Sequence, residues 1–81
     1  MSVRTRIALD RLREQLRRDV DREGLDAHQV AANHLTWAFA RAEAADACSE
    51  WASEVGDELA GRIAAAVEEE ALAFAEGRSL E

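Results

Sequence analysis

The side chains able to do chemistry in this 81-residue sequence are few: His28 and His34, Cys48, and the carboxylates Glu43, Asp46 and Glu50. A di-metal centre inside a helical bundle is built from inward glutamates and Glu-x-x-His pairs. The residues three before His28 and His34 are Leu25 and Ala31, so neither pair exists. The histidines stand six apart, which sets them on opposite sides of a helix rather than at the i, i+4 spacing of a shared metal. His28 is expected in the exposed first turn of a helix, and His34 beside an apolar stripe, half-buried or at an interface. Cys48 would need a base to form a thiolate. On one continuous helix His34 lies about 21 Å away, so Cys48 reads as a small buried hydrophobe among Ala44, Ala45, Ala47 and Trp51. Glu43, Asp46 and Glu50 share a face without an acid partner or a metal-ligating histidine, which is ordinary helix surface. A glycine-rich phosphate loop, G-x-S-x-G and paired CxxC are all absent. Ser2, Ser49, Ser53 and Ser79 have no base within helical reach. Catalytic, cofactor-binding and metal-ligating residues are all expected to be none.

The elements that position these groups follow from composition. Pro is absent and Gly numbers four, while Ala numbers eighteen, which favours helices over strands. A mass of 8.9 kDa allows a single small domain. Ser2 caps a first helix over about 3–23, with Val3, Ile7, Leu12, Leu16 and Val20 as its apolar stripe, Leu9 widening it and Gly24 ending it. Asp26 reads as the N-cap of a second helix over 26–55, with Gln29 as its capping-box partner and Leu25 stapled onto Val30. That helix carries a small stripe (Ala31, Leu35, Ala38, Ala42, Ala45, Ala52) beside a large one (Val30, Trp37, Cys48, Trp51, Val55). The combined face is too wide for one partner helix. Gly56 breaks the pattern, and Asp57 caps a third helix over 57–76. Leu59, Ile63, Val67, Ala71 and Phe74 form its expected inner stripe, with Leu72 beside it. The Glu68–Glu69–Glu70 run reads as a solvated face. The expectation is an all-α, three-helix chain, one domain over 1–79, completing a helical bundle by dimerisation or docking.

Charge narrows the partners. Residues 1–24 hold seven Arg and five acids, whereas residues 25–81 hold three Arg and twelve acids. With a net charge of −7, nucleic acid is not an expected partner. The arginines of the first segment are interleaved with acids at helical spacing and read as intrahelical ion pairs. Apolar runs reach only three or four residues, far short of the roughly 20 of a membrane span. The start has no secretory pattern, and one cysteine allows no internal disulfide. A cytoplasmic location is expected.

The stretch Gln29-Val-Ala31-Ala32-Asn-His-Leu35-Thr-Trp37, continuing to Glu43-Ala44 and Trp51-Ala52, resembles a family segment. It is similar to the helical region ahead of the catalytic core in acyl-CoA dehydrogenases of the methylsuccinyl-CoA dehydrogenase type. Gly24-Leu25-Asp26 before it, and Gly56-Asp57-Glu58-Leu59 with Ile63 after it, extend the resemblance over about residues 20–63. The sequence departs from that pattern at Asn33-His34 and again after Ile63, where Ala64 to Glu70 continues a helix. The resemblance implies an N-terminal accessory module of an FAD-dependent flavoenzyme. Its flavin-binding and catalytic parts would lie outside this sequence, so no cofactor is expected in this chain. Leu80-Glu81 reads as a cloning remnant.

Three functions are therefore expected in order. The first is a non-catalytic module packing against an adjacent catalytic domain or supplying oligomer contacts, with Gln29, Leu35, Trp37, Glu43, Cys48 and Trp51 at its core or interface. Here Trp and Leu would fill the helix–helix seam, Gln29 would serve a cap, and Glu43 would lie at the surface or beside Arg41. The second is a free-standing homodimeric adaptor. The third is an acyl-ligand-binding bundle with a groove lined by Trp37, Phe39 and Trp51.

Overall fold

The structure, a computed structural model, describes residues 1–77; the expectations for Ser79 and Leu80-Glu81 lie outside the described residues. In chain order these form helix α1 (Val3–Glu23), one 3-10 turn (Asp26–His28), helix α2 (Gln29–Val55) and helix α3 (Glu58–Ala75). The chain is all-α, and at 27 residues α2 is its longest helix.

Two of the three helix starts are capped as the sequence requires. The Ser2 hydroxyl accepts from the Thr5 backbone N–H at 3.1 Å, and the Asp57 carboxylate accepts from that of Ala60 at 2.7 Å. Between α2 and α3, Gly56 takes a left-handed φ of 75°, a conformation that costs a residue with a Cβ about 1–2 kcal/mol. The entry to α2 departs from expectation. Leu25 already has helical backbone angles, and no side chain caps the 3-10 turn or α2. The His28 N–H closes the turn on the Leu25 carbonyl at 2.9 Å. The extended geometry that an N-cap needs is thus lost before Asp26, and the Asp26–Gln29 capping box does not form. Leu25 and Val30 are both exposed, so no staple joins them.

Helices α2 and α3 form an antiparallel hairpin about Gly56. Its distal end packs Ala52 against Ala60 and Ala64, with Cys48 alongside. Further along, Arg41 reaches Glu70 at 2.7 Å and His34 stacks on Phe74 with ring centroids 4.6 Å apart. Helix α1 runs antiparallel to α2 over the other half of the hairpin. Ala8 and Leu9 bury against Ala38, Ala42, Leu72 and Ala75, with Leu12, Phe39 and Phe74 at the margin. The Thr5 hydroxyl donates to Glu68 at 3.2 Å. The result is elongated, 49 × 24 × 17 Å.

Three expected stripes are corrected. On α1 the buried residues are Thr5, Ala8 and Leu9, while Val3 and Ile7 are exposed. The step from Ile7 to Leu12 is five residues, which turns the helix about 140° away from a shared face at 3.6 residues per turn. On α2 the small stripe is the inner one: Ala38, Ala42, Ala45 and Ala52 are buried, and the large stripe faces outward apart from half-buried Cys48. On α3 the inner residues are Ala60, Ala64, Ala71, Leu72 and Ala75, with Leu59 and Ile63 exposed. Alanine facing alanine lets two helices approach to the short end of the about 8–10 Å interaxial range. Indole rings do not fit such a seam.

Leu9, 1% exposed, should behave as a core residue: Leu9→Ala is expected to cost about 2–5 kcal/mol in urea unfolding followed by circular dichroism. Ala45→Leu should cost about 1–3 kcal/mol through overpacking. A neutral Ala45→Leu would mean that the hairpin seam is not a close alanine contact.

Candidate functional site

The groups that could do chemistry are dispersed. His28 and His34 both border a crevice between α1 and the start of α2, with Leu12, Leu16 and Asp19 on its opposite wall. His28 is half-buried rather than exposed, with Nε2 3.7 Å from Glu23 Oε1. His34 is tied to Phe74. Cys48 is half-buried against alanines, without a base beside it among the described residues. Glu43 and Glu50 are exposed, and Asp46 pairs with the N-terminal ammonium of Met1. Arg41 pairs with Glu70 across the hairpin rather than with Glu43. Among the described residues, no group of three or more His, Cys, Asp or Glu side chains is placed to hold a metal ion.

Four of the seven arginines of α1 (Arg13, Arg17, Arg18 and Arg22) pair with acids of their own helix. Arg17 bonds Glu14 at 2.8 Å, Arg22 meets Asp19 at 3.1 Å, and Arg13 lies 3.6 Å from Asp10. The hydrogen bond from Arg17, and then its charge, hold the Glu14 carboxyl below its ordinary 4.5. The same contact raises the Arg17 guanidinium.

Of the residues expected at core or interface, Gln29 and Glu43 are exposed, while Leu35 and Cys48 are half-buried. Trp37 and Trp51 stand outside the seam that the three helices make, 62% and 44% exposed. They do not line a groove with Phe39, which turns the other way and packs toward Leu9. An open groove of about 860 Å³ lies beside the N-terminus, its floor made of small residues such as Ser49, Ala52, Gly61 and Ala64.

One surface does bring several expected residues together. Val30, Trp37, Ala44 and Trp51 recur every seven residues along α2, with Val55 four further on, and all five are exposed. On α3, Leu59 and Ile63 are exposed and Val67 is half-buried, at intervals of four. Arg41, Ala44, Val67 and Glu70 line one shallow dent, which sets the two stripes side by side. Helix α1 meets the hairpin elsewhere, through Ala38, Ala42, Glu68 and Leu72. Five of the ten exposed large apolar residues (Trp37, Trp51, Val55, Leu59 and Ile63) therefore lie on the hairpin face turned away from α1, while Val30 borders the crevice against α1 with Leu12 and Leu16. At the middle of this face a polar clasp joins the helices: the Arg41 guanidinium sits 4.3 Å over the Phe74 ring while bonding Glu70. The sequence signal for this surface was the large stripe of α2. The exposure of Leu59 and Ile63 was not visible without knowing which side of α3 meets α2.

Compared with protein-family models, curated proteins and solved structures, the chain matches none. No described helix is long and apolar enough to cross a membrane.

The depressed Glu14 group stabilises the folded chain above its unfolded value near 4.5, and that contribution is lost as pH falls through the lower folded value. Carboxyl-detected NMR titration should find Glu14 below the ordinary range. Arg17→Gln should return it toward 4.5, and an unchanged Glu14 titration would discard the pair.

Proposed function

We propose that this chain is a non-catalytic helical module that supplies oligomer contacts through the bare face of its α2–α3 hairpin. Both tryptophans, costly residues to leave in water, lie on that face while alanines fill the seam, and this placement carries the reading. The residues that could do chemistry are scattered or tied up in structural pairs. Burial of the bare face against a neighbour would complete the bundle.

The resemblance of residues 20–63 to acyl-CoA dehydrogenases names the class of protein such a module would serve. Both tryptophans of the resembling stretch lie on the bare face, so two of the residues that carry the resemblance are free to make contacts. On this reading FAD and the reacting carboxylate belong to the parent flavoenzyme, and this chain holds neither. The module works in the cytoplasm, consistent with one unpaired cysteine.

Trp37→Ala and Trp51→Ala should each change the stability of the dilute chain by less than about 1 kcal/mol, as expected of exposed residues. The same changes should weaken association measured by sedimentation velocity. A loss of about 3–5 kcal/mol in the dilute chain would instead place the indoles in a core. The flavoenzyme assignment is tested by mixing the chain with the FAD-loaded catalytic portion of a dehydrogenase of this type. Co-elution that is lost with the double tryptophan variant supports it. A chain that self-associates without binding the flavoprotein removes the flavoenzyme and leaves the oligomer contact.

A further inference from the structure

We propose that the occupant of the bare face is a second copy of this chain, paired back to back and antiparallel, with the two-fold axis passing at Ala44. This rests on the reading of that face as an oligomer contact and assigns it a partner and a register.

Area is the first argument. Leu59 is 65% exposed, and Trp37, Trp51, Val55 and Ile63 lie between 42% and 62%. With about 150–250 Å² for each indole and less for the aliphatic side chains, these five expose on the order of 500 Å² per copy. That lies toward the top of the about 300–600 Å² patch typical of a monomer, which is itself often functional. Two such faces give on the order of 1,000 Å², about what a specific interface requires.

Self-complementarity is the second. Trp37 and Trp51 stand seven residues to either side of Ala44 on one face of α2. Turning a copy by a half-rotation about Ala44 sets Trp37 against Trp51 of the other copy, and Trp51 against Trp37. This is the reciprocal contact that an isologous interface demands. Alanine at the axis leaves room between the two flanking indole pairs, and antiparallel helices oppose their dipoles. Parallel pairing would set Arg41 against Arg41 and Glu70 against Glu70. The antiparallel pair makes a four-helix core from two hairpins, with the two α1 helices on its outer faces.

The register is tested by cysteine cross-linking of the full chain. In Ala44→Cys on a Cys48→Ser background, two thiols meet at the axis within disulfide reach. Mild oxidation should produce a linked dimer at least about tenfold faster than in the unmodified chain, because pairing makes the reaction intramolecular. The native Cys48 side chains would be separated by about 12 Å along the axis and should not link. Trp37→Glu with Trp51→Glu, and separately Leu59→Glu, should keep their helical circular dichroism and sediment as monomers. Added salt should tighten the native pair, because each copy carries a net charge of −7. A dimer in which Cys48, or Trp37→Cys on the Cys48→Ser background, links to its own copy overturns the antiparallel register, which holds the two positions 37 about 21 Å apart, while leaving the bare face as the contact. A dimer indifferent to all three glutamates, or a monomer up to near-millimolar concentration, overturns both.

Discussion

The close approach of α2 to α3 through alanines is the constraint on which the other features depend. Ala45 is fully buried, and Ala52, Ala60 and Ala64 form the distal contact without any large aliphatic side chain of either helix. A seam of methyl groups buries little apolar area per residue, at roughly 25 cal/mol per Å². Its stability comes instead from tight, continuous packing between two good helix-forming segments. That same tightness excludes anything larger. The tryptophans, Val30, Val55 and Leu59 have no room between the helices and must stand outside, whatever their preference for leaving water.

Helix α1 compensates only in part. It adds Leu9 and half-buried Leu12 and Leu16, and it anchors its start on Glu68 through Ser2 and Thr5. It covers one side of the hairpin over part of its length. The Cα radius of gyration is 14.6 Å, whereas a compact domain of this length has about 12 Å. Such a shape leaves much apolar surface in water, and the resulting face has a particular geometry: a 3.5-residue stripe on α2 beside a four-residue stripe on α3. Strict seven-residue spacing of Val30, Trp37, Ala44 and Trp51 is the pattern of a seam between supercoiled helices. The stripe facing α3 drifts from that spacing, through Ala38, Ala42, Ala45 and Ala52.

The sequence made the helices legible and left their facing ambiguous. Ser2, Gly24, Gly56 and Asp57 mark boundaries through local chemistry, and α1 and α3 start or stop within a residue of where those signals fall. The entry to α2 misled because Asp26 and Gln29 satisfy the capping-box spacing, yet the chain tightens into a 3-10 turn first. The inner faces misled for a different reason. Size invites the assumption that Trp, Ile and Leu go inward, but a helix rich in alanine offers two faces, and the sequence does not say which one meets its neighbour. On α1 the five-residue step between Ile7 and Leu12 was the available warning. For the candidate surface, the large stripe of α2 was visible as a stripe, while its solvent exposure depended on the placement of α3.

The polar clasp in the middle of the apolar face constrains what can cover it. Arg41 is committed twice, to the Glu70 carboxylate and to the Phe74 ring, and Phe74 is held on another side by His34. A partly exposed ion pair of this kind adds little to the stability of the isolated hairpin. Once covered, it must stay paired, because a buried charge left alone costs several kcal/mol. Any partner must therefore leave the Arg41–Glu70 bond intact and meet the surface on both sides of it. A partner with a lone carboxylate at this point would compete with Glu70, and one with a lone ammonium would compete with Arg41. A surface that is apolar and small at its centre satisfies both conditions, and that is the character of the position beside Ala44 itself.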